Sequence, residues 1–229
     1  MQARLIESFE IAPEVRHFVF EAPEVSRLDF VPGQFVSFTH SIHEKNITRA
    51  YSIASAPSDT NRFELCLNLV HDGKFSPHLF EMQPGDTVEM RLPLGQFVLR
   101  HPDRDAVLIA TGTGIAPFRS ILRGHLNEAS PAFTLLFGVR HEHSLMYRNE
   151  FEEMALHYPH FRFLPTLTRP GPEWTGRTGR VQAHLYDAIG ERRDLDVFLC
   201  GLKAMVDETR NILREMGFDR KQILFEKYD

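Results

Sequence analysis

AVLIATGTGIAP, residues 106–117, is the stretch that decides the fold of the second half of the chain. It opens with a continuous apolar run, which predicts a strand buried on both faces of a parallel sheet. A glycine-rich turn follows, and apolar residues then recur with helical spacing at Phe118, Ile121 and Leu122. Strand, glycine-rich turn and helix form a geometry that receives a pyrophosphate on backbone N–H groups. Because Pro117 replaces the third glycine of the usual GxGxxG pattern, this prediction depends on the strand–turn–helix context.

The rest of the second half alternates between predicted strands and predicted helices. Strands are expected at residues 134–139, 161–168, 196–200 and 222–226, and helices at residues 149–157, 178–189 and 203–216. This alternation is typical of a doubly wound, Rossmann-like α/β parallel sheet, whose ligands lie at the carboxyl ends of the strands. The segments that fall at those ends are Thr111–Gly114, Arg140, Thr168–Arg169 and Cys200–Gly201.

The first half, up to about residue 100, reads as a series of short strands. Strands are predicted at residues 15–20, 35–38, 62–70 and 88–92, with turn signals between them at residues 32–34 and 84–86. Several short strands with regular turns indicate a closed barrel or a sandwich. We therefore expect two domains, at residues 1–100 and 101–229.

A second informative stretch, RAYSIAS at residues 49–55, lies among these strands. On a strand, Arg49 and Tyr51 share one face, and Ser52 points to the other. A planar ring could lie on Tyr51 while Arg49 holds a phosphate, because the planar guanidinium matches phosphate oxygens. The alternative is an edge strand with a surface arginine and a half-buried tyrosine.

One helix is expected to interrupt these strands, in GKFSPHLF at residues 73–80. Ser76 is predicted as its N-cap, with Pro77 at the first helical position. The free N–H groups at a helix start beside a glycine-containing turn can bind an anion. Together with Arg49, this helix start would therefore be a second group that binds a diphosphate. The alternative is a plain capped helix that links two strands.

Composition and charge limit the classes of partner. The chain has 229 residues, of which 42% are hydrophobic, and its net charge is -5, which is ordinary for a soluble globular protein and argues against a nucleic-acid partner. Cys66 and Cys200 are too few for a Cys-ligated cluster, and the histidines show no paired ligand spacing, so we expect no metal. No apolar run approaches the roughly 20 residues that span a bilayer, and the charged N-terminus does not resemble a signal peptide. We expect a cytoplasmic monomer.

Three arginines of the second half, Arg140, Arg169 and Arg177, are candidates for binding an adenosine 2′-phosphate. Taken singly, each is typical of a solvated loop. Tyr147 could stack on an adenine. Trp174, the single tryptophan, is expected to pack the loop between residues 169 and 179.

Five motifs occur in an order that resembles the ferredoxin–NADP reductase superfamily over essentially the whole chain. They are Arg49-x-Tyr51-Ser52, Gly73-x-x-Ser76, the turn at residues 112–117, Cys200-Gly201 and Glu226-x-Tyr228. The resemblance implies an antiparallel β-barrel that binds FAD, followed by a Rossmann-like domain that binds NADP(H). It favours NADP over NAD, although NADH-using relatives share part of the arginine pattern.

On the flavin side, the resemblance implies that Arg49 and the helix start at Ser76 hold the FAD phosphates. Tyr51 would stack on the isoalloxazine, and Ser52 would hydrogen bond near flavin N5. The expected flavin-binding set is completed by Val70, Gly73, Lys74 and Phe75.

On the nicotinamide side, the resemblance places Cys200 beside the nicotinamide, with Glu226 relaying protons or orienting the ring. Tyr228 would cover the opposite face of the flavin, and Asp229 after it would loosen that cap. The expected catalytic residues are therefore Ser52, Cys200, Glu226 and Tyr228. The remaining expected contacts to the dinucleotide are Thr111, Gly112, Thr113, Gly114, Arg140, Thr168, Arg169, Arg177 and Gly201.

These expectations describe an FAD-dependent oxidoreductase that moves electrons between NADP(H) and a separate one-electron carrier, ferredoxin or flavodoxin. Hydride would pass between nicotinamide C4 and flavin N5 once the nicotinamide has displaced Tyr228. The alternatives are an NAD(P)H-dependent reductase component of an oxygenase, or a free-flavin or quinone reductase. A flavin-loaded redox subunit that does not turn over alone is a third hypothesis.

Overall fold

The computed structural model describes residues 1–42 and 45–228, so Asp229 and its predicted effect on Tyr228 lie outside the described residues. The chain divides into two compact units. The first contains residues 1–99 together with 119–124, and the second contains residues 100–118 together with 125–229. Each unit has its own sheet and its own buried core.

The first unit is built on a six-stranded sheet in which every pair of neighbours is antiparallel. Its strand order is β4-β3-β6-β1-β2-β5. Its elements are β1 (Gln2–Ala12), β2 (Val15–Glu21), β3 (Phe35–Ile42), β4 (Lys45–Ser52), β5 (Arg62–Asn68), α1 (Ser76–Glu81) and β6 (Thr87–Leu94). Phenylalanines at alternating strand positions fill its interior, because successive side chains of a strand point to opposite faces. Phe18, Phe20, Phe38 and Phe63 are fully buried.

The two outermost strands of this sheet, β4 and β5, meet at a short seam. Ile53 and Leu65 form an isolated antiparallel bridge, and the Ala54 N–H donates to the Glu64 carbonyl at 2.7 Å. We call these four residues the seam. The seam closes the sheet on itself, which confirms the barrel and excludes the sandwich that the strand pattern had left open.

The start of α1 differs from the prediction. Ser76 is the first residue of the helix and Phe75 is its N-cap residue, without a side-chain cap, so the prediction of Ser76 as N-cap is wrong. The physical reason is a competing partner, since the Ser76 hydroxyl accepts the N–H of Val70 at 2.9 Å instead of a helical N–H. The side chain thereby closes the loop that precedes the helix.

The second unit is built on a six-stranded sheet in which every pair of neighbours is parallel, as predicted. Its order is β10-β9-β8-β7-β11-β12. Its strands are β7 (Ala106–Thr111), β8 (Phe133–Val139), β9 (Phe161–Leu167), β10 (Arg177–Thr178), β11 (Asp196–Leu202) and β12 (Ile223–Tyr228). The helices of the second half are α2 (Ile115–His125), α3 (Arg148–His157), α4 (Leu185–Ile189) and α5 (Lys203–Glu215).

One predicted helix, at residues 178–189, starts three residues later than predicted and is α-helical only in its second part. Residues 177–178 form β10, which pairs with β9. Gly179 has a φ of +102°, a conformation that ends regular structure and that glycine adopts without strain. A 3-10 helix follows at Val181–His184, and only α4 is an α-helix.

The order of the parallel sheet fixes where its ligand site belongs. The chain starts at β7 in the centre, runs outward through β8 to β10 on one side, and returns to add β11 and β12 on the other. Doubly wound sheets bind ligands at this switch point, beyond the carboxyl ends of the strands. The ends of β7 and β11 therefore form the expected site. No helix within residues 1–42 and 45–228 is both long and apolar enough to cross a membrane.

Candidate functional site

In the first unit, β4 carries the predicted flavin residues with the predicted alternation. Tyr51 is half-buried, and its ring centroid lies 5.8 Å from that of Phe38 and 6.1 Å from that of Phe75. Burial raises the pKa of the Tyr51 phenol, and the nearby charge of Arg49 lowers it only in part. The phenol is therefore neutral at physiological pH. Ser52, the next residue, is buried.

Arg49 is exposed, which suits a side chain that holds a charged ligand group. One guanidinium nitrogen donates to the Thr48 carbonyl at 2.9 Å. A guanidinium has five N–H donors in a fixed fork, so donors remain for phosphate oxygens. Its position two residues before Tyr51 places it on the same face of β4.

The predicted residues from Val70 to Phe75 lie in one compact loop between β5 and α1, and Ser76, the first residue of α1, closes it. The Gly73 N–H donates to the Val70 carbonyl at 2.8 Å, and the Ser76 hydroxyl accepts from the Val70 N–H. Phe75 is buried against Tyr51, whereas Lys74 is exposed. The loop thus brings a backbone turn, a cation and an aromatic contact together near β4.

In the second unit, the glycine-rich turn after β7 is a 3-10 helix at Gly112–Gly114 that leads into α2. A Cβ on Gly114 would lie 2.3 Å from the carbonyl oxygen of Cys200, so only glycine fits there. A Cβ on Gly112 would meet no atom within 4 Å, which leaves open space beside the turn.

The hydroxyl of Thr111 gives an independent indication of a ligand at this turn. Its oxygen is buried and has no hydrogen-bond partner in the part of the chain that the structure describes. Buried hydroxyls nearly always have a partner. An orphaned hydroxyl beside an open glycine turn fits a dinucleotide, whose phosphate and ribose oxygens can accept hydrogen bonds.

Cys200, Glu226 and Tyr228 come together at the end of β11. Cys200 pairs with Glu226 in the parallel register of β11 and β12. Burial and the negative charge of Glu226 raise the pKa of the Cys200 thiol, and a hydrogen bond with Tyr228 counteracts part of this rise. The fully buried sulfur is therefore a neutral thiol and not a nucleophile.

Arg140 and Arg169 follow the ends of β8 and β9, and Arg177 lies on the neighbouring strand β10. The Arg169 N–H donates to the Arg140 carbonyl at 2.8 Å, which brings the ends of β8 and β9 together, with Thr168 between β9 and Arg169. Arg177 pairs with Thr166 across β9 and β10, and its side chain contacts Asp187 at 3.4 Å. Arg140 and Arg169 are exposed. The backbone thus gathers three cations at one edge of the sheet.

Trp174 packs the loop at residues 169–179, as expected. Its indole N–H donates to the Arg177 carbonyl at 2.9 Å, and the Arg148 guanidinium lies 5.6 Å from its ring centroid. Tyr147 has a left-handed backbone, with φ at 58°, and its ring meets Phe151 edge to face. Stacking of Tyr147 on an adenine stays a prediction.

Sequence reasoning missed one buried charge cluster in the first unit. Arg119, on α2, donates to the Ala54 carbonyl at 3.0 Å and to a Glu64 carboxylate oxygen at 2.5 Å. The signal was available, because Arg119 lies one helical turn from both Ile115 and Leu122 and therefore on the apolar face of α2. A charged residue at such a position needs a buried partner.

Comparisons with known proteins match this arrangement. The oxidoreductase FAD-binding domain family matches residues 2–99, and the oxidoreductase NAD-binding domain family matches residues 108–211. The chain is 38% identical to ferredoxin–NADP reductase B of Sorangium cellulosum, over 100% of this chain and 97% of that protein. It is 30% identical to the anthranilate 1,2-dioxygenase electron transfer component of Acinetobacter baylyi, over 89% of this chain and 60% of that protein.

The fold agrees with a solved structure of a ferredoxin NADP+ reductase from Neisseria gonorrhoeae with bound FAD and NADP. The TM-score is 0.84 at 26% identity, over 99% of this chain and 98% of that one. Barrel, parallel sheet, motif order and relatives agree, and the chain therefore belongs to the ferredoxin–NADP reductase family, as an oxidoreductase that binds FAD and NAD(P).

Proposed function

We propose that this oxidoreductase moves electrons between NADP(H) and a separate one-electron carrier, ferredoxin or flavodoxin. The observation that carries the choice of NADP(H) is the group of three arginines on neighbouring strand ends. Guanidinium groups bind phosphate oxygens in paired hydrogen bonds, so the group suits a 2′-phosphate. A ferredoxin-type carrier is supported by the 38% identity with ferredoxin–NADP reductase B.

The flavin-binding roles follow from the contacts of β4 and the loop at residues 70–76. The exposed guanidinium of Arg49 and the turn at Gly73 bind the FAD diphosphate. The neutral phenol of Tyr51 packs against the isoalloxazine, and Ser52 orients it by a hydrogen bond near N5. When bound, FAD accepts hydride from nicotinamide C4 and returns electrons singly, which supplies the chemistry that no side chain provides.

The nicotinamide-binding roles follow from the switch point of the parallel sheet. Backbone N–H groups at Gly112–Gly114 bind the pyrophosphate, and the Thr111 hydroxyl finds its partner on the dinucleotide. The neutral thiol of Cys200 borders the nicotinamide with an apolar surface. Glu226 holds or moves a proton, and Tyr228 occupies the nicotinamide position until NADPH binds.

One alternative function has specific support. The similarity to the dioxygenase electron transfer component makes an NADH-dependent reductase of an oxygenase the second candidate, although this chain spans only 60% of that protein. Two subunits F of Na(+)-translocating NADH-quinone reductases match at lower identity, 27% and 29%, and the matches cover 57% and 49% of those proteins' lengths. The two candidate functions differ in whether the protein uses NADPH or NADH. A substitution of Arg169 distinguishes them, because Arg169 is proposed to bind the 2′-phosphate that only NADPH carries.

The test is the nucleotide preference of Arg169→Ala. We expect kcat/KM for NADPH to fall by about 10- to 100-fold, and kcat/KM for NADH to change little, because only NADPH carries the 2′-phosphate. Arg192→Ala is the matched control, since Arg192 pairs with Asp105 and Asp194 in a loop away from the carboxyl strand ends. An NADPH preference that survives Arg169→Ala would contradict the assignment.

The carrier is tested separately with the NADPH-reduced protein. Rapid oxidation of the bound flavin by ferredoxin or flavodoxin, measured by stopped-flow absorption, is the expected result. Oxidation by an oxygenase component alone would favour the second candidate.

A further inference from the structure

The barrel of the first unit is closed by a seam that is shorter than its other strand pairings. The β3–β4 pairing runs over eight residue pairs, from Phe35↔Ser52 to Ile42↔Lys45. The seam consists of the Ile53–Leu65 bridge and the Ala54–Glu64 hydrogen bond. The seam begins at Ile53, one residue after the end of β4 at Ser52. The end of β4 therefore has few backbone hydrogen bonds to β5.

Arg119 joins the two sides of this seam with one guanidinium. A single nitrogen, Nη1, donates both to the Ala54 carbonyl at 3.0 Å and to the Glu64 carboxylate at 2.5 Å. Ala54 follows the end of β4, and Glu64 belongs to β5. All three residues lie in the first unit. Arg119 therefore holds the end of β4 against β5 from outside the sheet.

Ser55 and Ser120, the residues next to Ala54 and Arg119, also link α2 and β5 to the segment after β4 by hydrogen bonds. The Ser120 hydroxyl donates to the Ser55 carbonyl at 2.6 Å, and the Ser55 hydroxyl accepts the Glu64 N–H at 3.1 Å. The Ile53 N–H donates to the Gln34 carbonyl at 3.0 Å. Every residue from Ile53 to Ser55 is thus fixed by a hydrogen bond to another part of the first unit.

The ion pair between Arg119 and Glu64 lies in a largely buried environment. Only 6% of Arg119 is exposed, and Ser120 is fully buried. The imidazole of His17, also buried, lies 3.7 Å from the Glu64 carboxylate on the side of β2. Removal of one partner of a buried ion pair leaves an uncompensated charge, which is far more disruptive than loss of an exposed pair. Loss of Arg119 would therefore displace Ala54 and Glu64, and with them the end of β4.

We propose that Arg119 is a positioning residue for the flavin, which holds Tyr51 and Ser52 in their binding geometry by joining both sides of the barrel seam. This inference rests on the proposed function, in which β4 carries the isoalloxazine contacts. Arg119 is not among the residues that the proposed function places on the cofactor. Its effect passes along the backbone through Ile53 to Ser52.

The test measures FAD binding to the apo-proteins by quenching of flavin fluorescence, together with the visible spectrum of the bound flavin. The variants are Arg119→Met, which keeps the volume and removes the donors, and Arg119→Lys, which keeps the charge. Leu5→Ala is the stability control, because it removes a buried side chain in β1, which is separated from both β4 and β5 in the sheet order. Thermal unfolding of each apo-protein measures its loss of stability, so that the Arg119 variants can be compared with Leu5→Ala at a similar loss.

We expect Arg119→Met to weaken FAD binding by about tenfold or more and to shift the flavin spectrum, because the change acts at the ring contacts. Arg119→Lys should recover part of the affinity, and Leu5→Ala should bind FAD nearly as the wild type does at a comparable loss of stability. If Arg119→Met does not fold, Arg119→Lys and Glu64→Gln carry the same comparison.

Wild-type affinity and an unchanged spectrum in the folded Arg119 variants would overturn the role of Arg119 while leaving the proposed function intact. The same holds if Leu5→Ala weakens FAD binding as much as Arg119→Met does, since the effect would then be general destabilisation. A wild-type protein that binds no FAD would instead overturn the proposed function and this inference together.

Discussion

At the scale of single residues, Cys200 shows how environment decides the chemical role of a side chain. The sulfur is fully buried, and the carboxylate of Glu226 adds negative charge beside it. Both effects disfavour the thiolate, and the Tyr228 hydrogen bond is too weak to reverse them. The same side chain at a helix N-terminus or beside a cation would be a nucleophile. Here it is an uncharged, buried thiol.

This environment predicts the reactivity of Cys200. Because its pKa is raised above the ordinary value of 9.0, alkylation by iodoacetamide in the folded Cys66→Ser variant should be far slower at pH 9 than that of a free thiol and should not level off near that pH. Unfolding in urea should restore the normal rate. Mass spectrometry of the labelled protein measures both rates. A native rate that climbs with a midpoint near 9 would contradict the assignment of a neutral thiol.

The residues that sequence reasoning found and missed differ in where their partners lie. The arginines Arg140 and Arg169 follow predicted strands directly, so their adjacency could be read from the alternation of strands and helices. Arg119 could not be paired in the same way, because Ala54 and Glu64 lie more than 50 residues earlier in a different type of sheet. Its place on an apolar helix face gave the only signal.

At the scale of elements, the seam between β4 and β5 couples barrel stability to pH. Burial alone would raise the pKa of Glu64, but the hydrogen bond and charge of Arg119, with the charges of His17 and Arg123, outweigh burial and lower it. A carboxyl whose pKa is lower in the folded state favours folding above its unfolded pKa. That contribution is fully present above pH 4.5 and is lost as the pH falls through the folded pKa.

The prediction is a difference between wild type and Glu64→Gln in urea unfolding of the apo-proteins. Above pH 4.5, the variant should lose about 1.5–3 kcal/mol of unfolding free energy, as expected for a hydrogen bond to a charged group. The difference should shrink below that pH, since protonated Glu64 also lacks the charge. Far-UV circular dichroism follows both units.

The fluorescence of Trp174 supplies an internal control for the same experiment. Trp174 is the single tryptophan and lies in the second unit, whereas residue 64 lies in the first, so we expect residue 64 to affect its transition less than the transition seen by circular dichroism. A shift of the tryptophan transition as large as that seen by circular dichroism, or a difference between the two proteins that persists unchanged to low pH, would contradict the seam account.

The elements that the sequence predicted well are those whose own residues carry a strong hydrophobic pattern. The apolar runs of β7, β8 and β11 read as strands because buried parallel strands have no polar face. The start of α1 and the start of the helix predicted at residues 178–189 were wrong for a different reason. Each depends on one local partner, the Val70 N–H for Ser76 and the β9 strand for Arg177, which a periodic pattern does not contain.

At the scale of the whole molecule, the sequence pattern separates the two kinds of sheet because their physical demands differ. A closed barrel needs strands with one apolar face, whereas a doubly wound sheet needs strands that are apolar on both. The fold class was therefore predictable. The assignment of residues 119–124 to the first unit was not, because α2 is one continuous helix whose periodicity does not change along its length.

The central claim is that one chain binds FAD on its barrel and NADPH on its parallel sheet, and passes hydride from one to the other. The most direct measurement is an anaerobic titration of the FAD-loaded protein with NADPH, followed by visible absorption. We predict that the protein retains yellow flavin through gel filtration and that stoichiometric NADPH bleaches it. A protein that stays colourless after incubation with FAD, or a bound flavin that neither NADPH nor NADH reduces, would contradict the account.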